Sequence, residues 1–483
     1  MCGVRPLITE IETTATPESL AEGLVEKGLS GVICLRGSGD FSQARYSLVA
    51  ANPFMVFRSF GSRCEISRPA SSVQHVQFGN PWQVLDALMS RYELLDELDL
   101  PFPLGGCFGF WGYDLKNFTE PKLPRRALND LELPDCHVGF YDSVVIFDHQ
   151  LGKTFIVSTG LDADGSRSEK RANAQFDFWN EALRTVHGPK STTPEYYNTR
   201  NRPLSNSNFT RGEFVYAVKR AQEFIRAGDI YQVNLSQRIT APVVTPGWNF
   251  FGQLTAVSPA PFAAYLDCGD FQIASSSPEQ FLRLSGSHIV TRPIKGTRPR
   301  DADPTRDAQL SYELQTSAKE LAELIMITDL LRNDLGKVCD FGSVQAPGLA
   351  RLEKFAQVQH LVSTVEGRLR RDVTHFAALA SCFPGGSVTG APKFRAMQII
   401  DELEPVARGP YCGCHGYLGF NHESQLSITI RTAVCMPDKV HFHAGAGIVA
   451  DSDPESEYEE TLAKAAGFLA ALRAGAERET MRT

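Results

Sequence analysis

Residues 425–434, QLSITIRTAV, alternate: Leu426, Ile428 and Ile430 point one way and Ser427, Thr429 and Arg431 the other. Successive side chains of a strand face opposite sides, so this period of two predicts an antiparallel strand. The run KVHFHAGAGIV (439–449) reads as its partner. Helical periodicity lies on both sides of the pair. KELAELIMITDLLRNDLG (319–336) ends at a glycine and sets Glu320 and Glu323 three residues apart on one face; DPESEYEETLAKAAGFLAALRAG (453–475) has Pro454 in its first turn and sets Glu457 and Glu460 the same way. Upstream, Thr210 and Glu213 form a capping box, followed by Phe214, Ala217, Val218, Ala221, Phe224 and Ile225 at helical spacing as far as Gly228.

The first 185 residues give shorter strand-like pieces, VVIFD and KTFIVS, and one helical pattern near 82–95. A polar stretch rich in Pro, Ser, Thr and Asn, residues 187–207, breaks the composition and reads as a linker or surface loop. It divides an N-terminal segment, 1–186, from a second segment, 208–475, with a short tail at 476–483. No internal repeat is visible.

The chain has 483 residues with 48 Lys and Arg against 56 Asp and Glu, a formal net charge of -8. That balance argues against sequence-independent nucleic-acid binding, so any anionic ligand must meet a local cluster of cations. The 11 cysteines are scattered and no signal peptide precedes them, which fits a reducing cytoplasm. No apolar run approaches the roughly 18 residues of a membrane span.

Several constellations suggest chemistry. Two helices each presenting a glutamate pair can supply oxygen ligands to a hard cation such as magnesium, although a lone pair is more often a solvated face. AGAGIV (444–449) lets backbone N–H groups approach an anion, with Arg431 on the preceding strand; a turn or bulge needs glycine equally well. PGGSVTGAPK (384–393) is Gly-rich but does not fit a nucleotide phosphate loop, because Pro392 precedes Lys393 and Phe394 follows it. GGCFG (105–109) matches the G-x-C-x-G of a cysteine nucleophile, yet the FWGYDL that follows looks like a buried strand rather than a helix start. Cys412, Cys414 and His415, and the His441 and His443 pair, read as strand residues rather than zinc ligands. Finally, RPIKGTRPR (292–300) brackets Lys295 with Arg292 and Arg298. Nearby cations and partial burial make a lysine a neutral nucleophile; a plain anion-binding lysine is the competing reading.

Taken in order, GDIYQVNLSQR, SSSPEQFL, PIKGTRPR, ELIMITDLLRNDLG, HLVSTVEG, CFPGGSVTGAPKFRAMQIIDELEP, RGPYCGCHGYLGF, ITIRTA and AGAGIVADSDPESEYEETLAKA resemble the signature of the chorismate-utilising enzymes. That family includes anthranilate synthase component I, aminodeoxychorismate synthase component I and the isochorismate and salicylate synthases. The resemblance covers nearly all of 208–475, and more weakly RYSLVAANP (45–53) and GGCFGFWGYDL (105–115).

The resemblance implies an α+β fold, two large antiparallel sheets packed as a sandwich with helices on the outer faces. It assigns Mg2+ to Glu323 and Glu460, with Glu320 and Glu457 supporting through bound water, and the enolpyruvyl carboxylate of chorismate to Tyr411, Arg431 and the N–H groups around Gly445 and Gly447. It also puts Ser387, Gly390 and Lys464 among the substrate-binding residues. His360 matches the family histidine near the ring, or is a satisfied core histidine. Members that add water carry a lysine base where this chain has Gln232, so ammonia is the expected nucleophile. Anthranilate synthases typically read PIAGT where this chain reads PIKGT, so Lys295 resembles the aminodeoxychorismate branch, which serves p-aminobenzoate and folate synthesis. There, Lys295 is expected to attack ring carbon 2 while Glu279 protonates the departing hydroxyl. The implied partners are a separate glutamine amidotransferase subunit and a separate aminodeoxychorismate lyase. The rival readings are anthranilate synthase component I and a self-contained glutaminase using Cys107. Leu35, Arg36, Gly37 and Ser38 depart from the LLES-like segment of tryptophan-inhibited members, so tryptophan inhibition is not expected.

Overall fold

The computed structural model describes residues 5–37, 44–69, 74–94, 100–186, 205–242, 246–354 and 358–480. Most of the 187–207 linker therefore lies outside the described residues; its end, Asn206–Ser207, is a two-residue strand paired with Thr240 and Ile239.

Among the described residues the strands form two sheets of twelve, and every ladder is antiparallel. Strands from both halves of the chain interleave in each sheet. In the first, Ile33–Arg36 pairs with Phe262–Asp267, and the order continues through Gln272–Ser277, Thr432–Cys435, Lys439–Ile448 and Gln232–Pro242. In the second, Gly106–Trp111 pairs with Cys414–Gly419, and the order continues through Glu423–Ile428, Gln280–Ser285, His288–Thr291 and Val358–Arg368 to Ile294–Pro299. Helices Ala318–Gly336 and Pro454–Thr480 pack on the Val358–Arg368 and Lys439–Ile448 strands. This is the α+β sandwich expected. Aromatic side chains such as Phe108, Phe110, Trp111, Phe140 and Phe281 fill its core. Each contributes about 1.5–3 kcal/mol of burial against the entropy of ordering the chain.

The opening stretch is not one strand. Glu423–Ile428 belongs to the second sheet and Thr432–Cys435 to the first, with a corner at 429–431 where Arg431 takes a φ of 48°. The alternation persists through the corner because both faces are covered: Leu426, Ser427, Ile428 and Thr429 are all buried. Its partner strand is as expected, since Ala433 to Cys435 pair with Phe442 to Val440. A second segment crosses alongside, Gln272–Ser277 in the first sheet and Gln280–Ser285 in the second. The two crossings are stitched by Ser277 Oγ donating to the Ile428 carbonyl (2.7 Å) and the Ile428 N–H donating to the Glu279 carbonyl (3.0 Å). Two antiparallel chains leaving one sheet together thus put Glu279 and Arg431 at one corner.

The Thr210–Glu213 capping box caps helix Arg211–Arg226, and VVIFD and KTFIVS lie in strands Ser143–Asp148 and Lys153–Ser158. The helix expected near 82–95 is shorter, Pro81–Met89, and ends at Ser90. The last helix runs through 476–480. Among the described residues no helix is long and apolar enough to cross a membrane.

Candidate active site

Lys295 sits on strand Ile294–Pro299, where the pairing with Val358–Arg368 slips between Lys295 and Thr297. Gly296 occupies the slip with a φ of 68°, a backbone that glycine adopts without strain and that re-aims its neighbour. The Lys295 Nζ donates to Glu323 Oε1 at 2.7 Å. The bracketing arginines turn elsewhere. Arg292 pairs with Glu353, Arg298 with Glu320 at 3.6 Å, and Arg300 with Asp307 at 2.7 Å. Each bracketing arginine thus has a carboxylate of its own, and the ion-pair partner of Lys295 is Glu323, which fits the reading of an anion-binding lysine rather than one neutralised by neighbouring cations.

Glu279 is 7 % exposed. Burial pushes its carboxyl up to about 7, against a hydrogen bond from Ser387, the charge of Lys295 and the N–H of Ile294. Those opposing groups also locate it: Ser387 hydrogen-bonds Glu279, and Lys295 lies near enough for its charge to act on it. Ser387 sits in the one-turn helix Gly386–Val388, and Gly390 pairs with Val233 at a φ of 144°, where an added Cβ would meet the Gln232 carbonyl at 2.2 Å.

Gln232 closes the same side, its Nε2 donating to Glu323 Oε1. Burial raises the Glu323 carboxyl, but the charge and hydrogen bond of Lys295 and the hydrogen bond of Gln232 outweigh it, and the net direction is down. A Cβ on Gly447 would stand 2.5 Å from Gln232 Nε2 and 3.4 Å from Glu323 Oε1, and one on Gly445 would stand 2.7 Å from the Tyr411 hydroxyl. Both glycines therefore line this site. Lys464 donates to the Gly445 carbonyl (2.8 Å) and pairs with Glu460 (2.7 Å). Tyr411 stacks on His443 with ring centroids 4.9 Å apart.

The Arg431 guanidinium has no hydrogen-bond or ion-pair partner among the described residues, and lost solvation pushes its pKa down. It is reached by solvent yet closely surrounded by protein, the combination expected of a cation in a cleft. Its charge helps hold down the neighbouring His360, which burial lowers to about 4 against a bond at Gly296. His360 is thus a neutral imidazole, and its Nδ1 is 2.8 Å from Thr297 Oγ1.

The acidic helix faces meet less closely. Glu320 pairs with Arg298, Glu323 with Lys295, Glu460 with Lys464, and Glu457 accepts from Ser452 Oγ at 2.6 Å. Burial raises Glu457, Ser452 opposes it, and the nearby Glu460 adds to the rise. The charge of Lys319 acts on both Glu323 and Glu457. Among the described residues no three His, Cys, Asp or Glu side chains converge as a ligand set. In donor chemistry the four carboxylates suit a hard divalent ion, and ammonium groups hold Glu323 and Glu460.

The remaining candidates fall away from the site. Cys107 lies on the buried strand Gly106–Trp111, paired with Phe140 and Leu418, and burial pushes its thiol far above the usual range. It presents no thiolate nucleophile. His415 is buried and neutral, lowered to about 4 by burial, with Nδ1 3.2 Å from Thr429 Oγ1 and Nε2 3.4 Å from the Phe262 carbonyl. It is a satisfied inter-sheet residue. Of the LLES-like segment, Leu35, Arg36 and Gly37 line a cavity with Pro261, Phe262 and His415, and Ser38 lies outside the described residues.

Asn234 and Arg408 were not anticipated. Asn234 Nδ2 lies beside the Cβ position of Gly445, and Arg408 is buried behind Tyr411. The visible signal for Arg408 was Glu404 four residues before it, a spacing that supports ion pairs.

The frame of the site is thus an antiparallel sandwich whose crossing corner carries a buried acid and a guanidinium unpaired among the described residues. Residues 38–470 match the family described as chorismate binding enzyme, and the chain belongs to that family. It is similar to anthranilate synthase component 1 of Acetivibrio thermocellus, 38% identical over 448 residues, 91% of this chain and 89% of the relative. It is equally similar to aminodeoxychorismate synthase component 1 of Escherichia coli K12, 39% identical over 441 residues, 90% and 92% of the two chains. The crystal structure of anthranilate synthase component I from Streptococcus pneumoniae TIGR4 superposes with a TM-score of 0.76 at 31% identity, covering 88% of this chain and 92% of that one.

Proposed function

We propose that this chorismate-binding enzyme is an aminodeoxychorismate synthase component I, forming 4-amino-4-deoxychorismate from chorismate and ammonia. The observation that carries the reading is Lys295 near Glu279: a lysine side chain acts by its charge on a carboxyl that burial keeps partly protonated near neutral pH. Once the Lys295 ammonium has given a proton to solvent, its amine bonds to ring carbon 2. The ring double bonds shift, and the carbon 4 to oxygen bond breaks as Glu279 gives its proton to the departing hydroxyl. Ammonia then bonds to carbon 4, the double bonds shift back and the carbon 2 to lysine bond breaks. Nitrogen ends para to the ring carboxylate, whereas direct addition at carbon 2 would place it ortho.

Arg431, Tyr411 and the backbone around Gly445 and Gly447 receive the enolpyruvyl carboxylate, and Gly390 and Lys464 border it. His360, neutral, orients a ring substituent. Gln232 carries no base with which to deliver hydroxide. Glu323 and Glu460 would hold magnesium, with Glu320 and Glu457 behind them, and the ion when bound polarises the ring carboxylate. Ammonia is expected from a separate amidotransferase subunit, since Cys107 is buried, and the product from this chain would pass to a separate lyase.

The test is intact-mass measurement of the chain with chorismate and magnesium but no ammonia. An adduct on Lys295, absent in Lys295→Ala, is expected; normal aminodeoxychorismate formation by Lys295→Ala would contradict the covalent role. The second reading, anthranilate synthase component I, rests on relatives of comparable identity.

A further inference from the structure

We infer that Arg408 is a positioning residue for this chemistry: its buried guanidinium fastens the turn that carries Ser387 and the strand that carries Gln232 and Asn234 to one point, and so holds Glu279 and Tyr411 in place. The inference rests on the chorismate reading proposed above.

Arg408 is 2 % exposed. Its Nε and Nη2 donate to Glu404 Oε2 and Oε1 at 2.8 and 2.7 Å. Its other hydrogen bonds go to backbone: Nη1 to the Val388 carbonyl at 3.1 Å and Nη2 to the Asn234 carbonyl at 2.7 Å. Val388 follows Ser387, whose side chain hydrogen-bonds the Glu279 carboxyl. The Asn234 N–H donates to the Thr389 carbonyl at 2.8 Å, tying strand and turn to each other. Glu404 accepts from Ser236 N and Oγ at 2.8 and 2.9 Å, anchoring the same strand. The guanidinium lies over the Tyr113 ring at 4.7 Å and the Tyr411 ring at 5.6 Å. The N-terminal half braces it: Gly409 N donates to Asp114 Oδ2 (3.0 Å) and Tyr113 N to the Gly409 carbonyl (2.7 Å).

A buried ion pair is a weak source of stability, because desolvation offsets its attraction and apolar replacements are often neutral. What this one supplies is geometry. A planar fork reaches two backbone carbonyls, a carboxylate and two rings at once, which an ammonium cannot.

The test compares Arg408→Lys with the paired replacement Arg408→Met/Glu404→Leu, which keeps the site foldable without buried charge, each with its melting temperature. Two readouts are followed: chorismate consumption against pH, counting any product, and the Glu279 carboxyl band by infrared difference against Glu279→Gln. The groups facing Glu279 are Ser387, Lys295, the Ile294 N–H and Cys412. Of these, the Ser387 bond lowers the Glu279 pKa and depends on the turn. Freeing the turn is expected to raise the Glu279 midpoint by about half to one pH unit and to lower kcat/KM about 10- to 100-fold in both variants. Ser387→Ala should give the same midpoint rise, and adding Arg408→Lys to it should move the midpoint no further. A midpoint unmoved in folded variants, or shifts that add, would overturn the inference. If the wild-type chain consumes no chorismate, the proposed function fails instead, and the infrared band still reports on Arg408.

Discussion

Two sides of the site are held by opposite means. At the acidic side Glu323, Glu320 and Glu460 are each closed by a lysine or arginine, and these pairs are partly exposed. At the crossing corner Glu279, Tyr411 and Arg408 are buried, and the Arg408–Glu404 pair is anchored to backbone. Exposed pairs are worth little and exchange readily, whereas a buried network holds one arrangement. On the proposed function, the acidic side trades its internal cations for ligands while the corner stays still.

The largest effect should come from the exchangeable side. A chelator should stop chorismate turnover completely and magnesium should restore it; turnover indifferent to chelation would remove the metal role of Glu323 and Glu460. Glu279→Gln should cost about 10³-fold in turnover, within the usual range for a lost general acid, with chorismate still bound in calorimetry. Loss of binding instead would make Glu279 a structural residue.

The pH dependence sharpens the contrast. On the proposed mechanism Glu279 acts as an acid, so turnover should fall above pH about 7, and that limb should be absent in Glu279→Gln. Stability carries the matching sign. The folded pKa lies above the ordinary carboxyl value, so between that value and about 7 the unfolded chain releases a proton that the folded chain keeps, and stability declines as pH rises. Glu279→Gln should therefore melt higher than wild type at pH 8 and lose that advantage below pH 4. The smallest effect is expected from Gly447→Ala. Its Cβ would meet the flexible end of Gln232 at 2.5 Å, so the side chain can move, and chorismate KM should rise about tenfold, equivalent to about 1.4 kcal/mol.

The two sides also differed in how far the sequence revealed them. The spacing of Glu320 with Glu323 and of Glu457 with Glu460 was legible because helical periodicity sets faces directly. The sandwich was legible only through the family resemblance, and pattern alone gave a few of its strands, such as those of VVIFD, KTFIVS and KVHFHAGAGIV. Alternation could not show the switch of sheet at 429–431, because a strand buried on both faces keeps its period through a corner, and the positive φ of Arg431 leaves no compositional trace. The surroundings of Lys295 stayed open for a related reason. Arg292 and Arg298 are close in sequence, but Arg292 lies before the strand and pairs with Glu353, whereas Arg298 lies beyond the slip at Gly296 and pairs with Glu320. Arg408 escaped notice because its role depends on carbonyls of Val388 and Asn234, groups that every residue carries.

The most direct measurement is chromatographic identification of what the purified chain makes from chorismate, magnesium and ammonium salt. With Lys295 beside the buried acid, the expected product is 4-amino-4-deoxychorismate, converted to p-aminobenzoate only when lyase is added. Anthranilate with release of pyruvate as the main output would contradict the account.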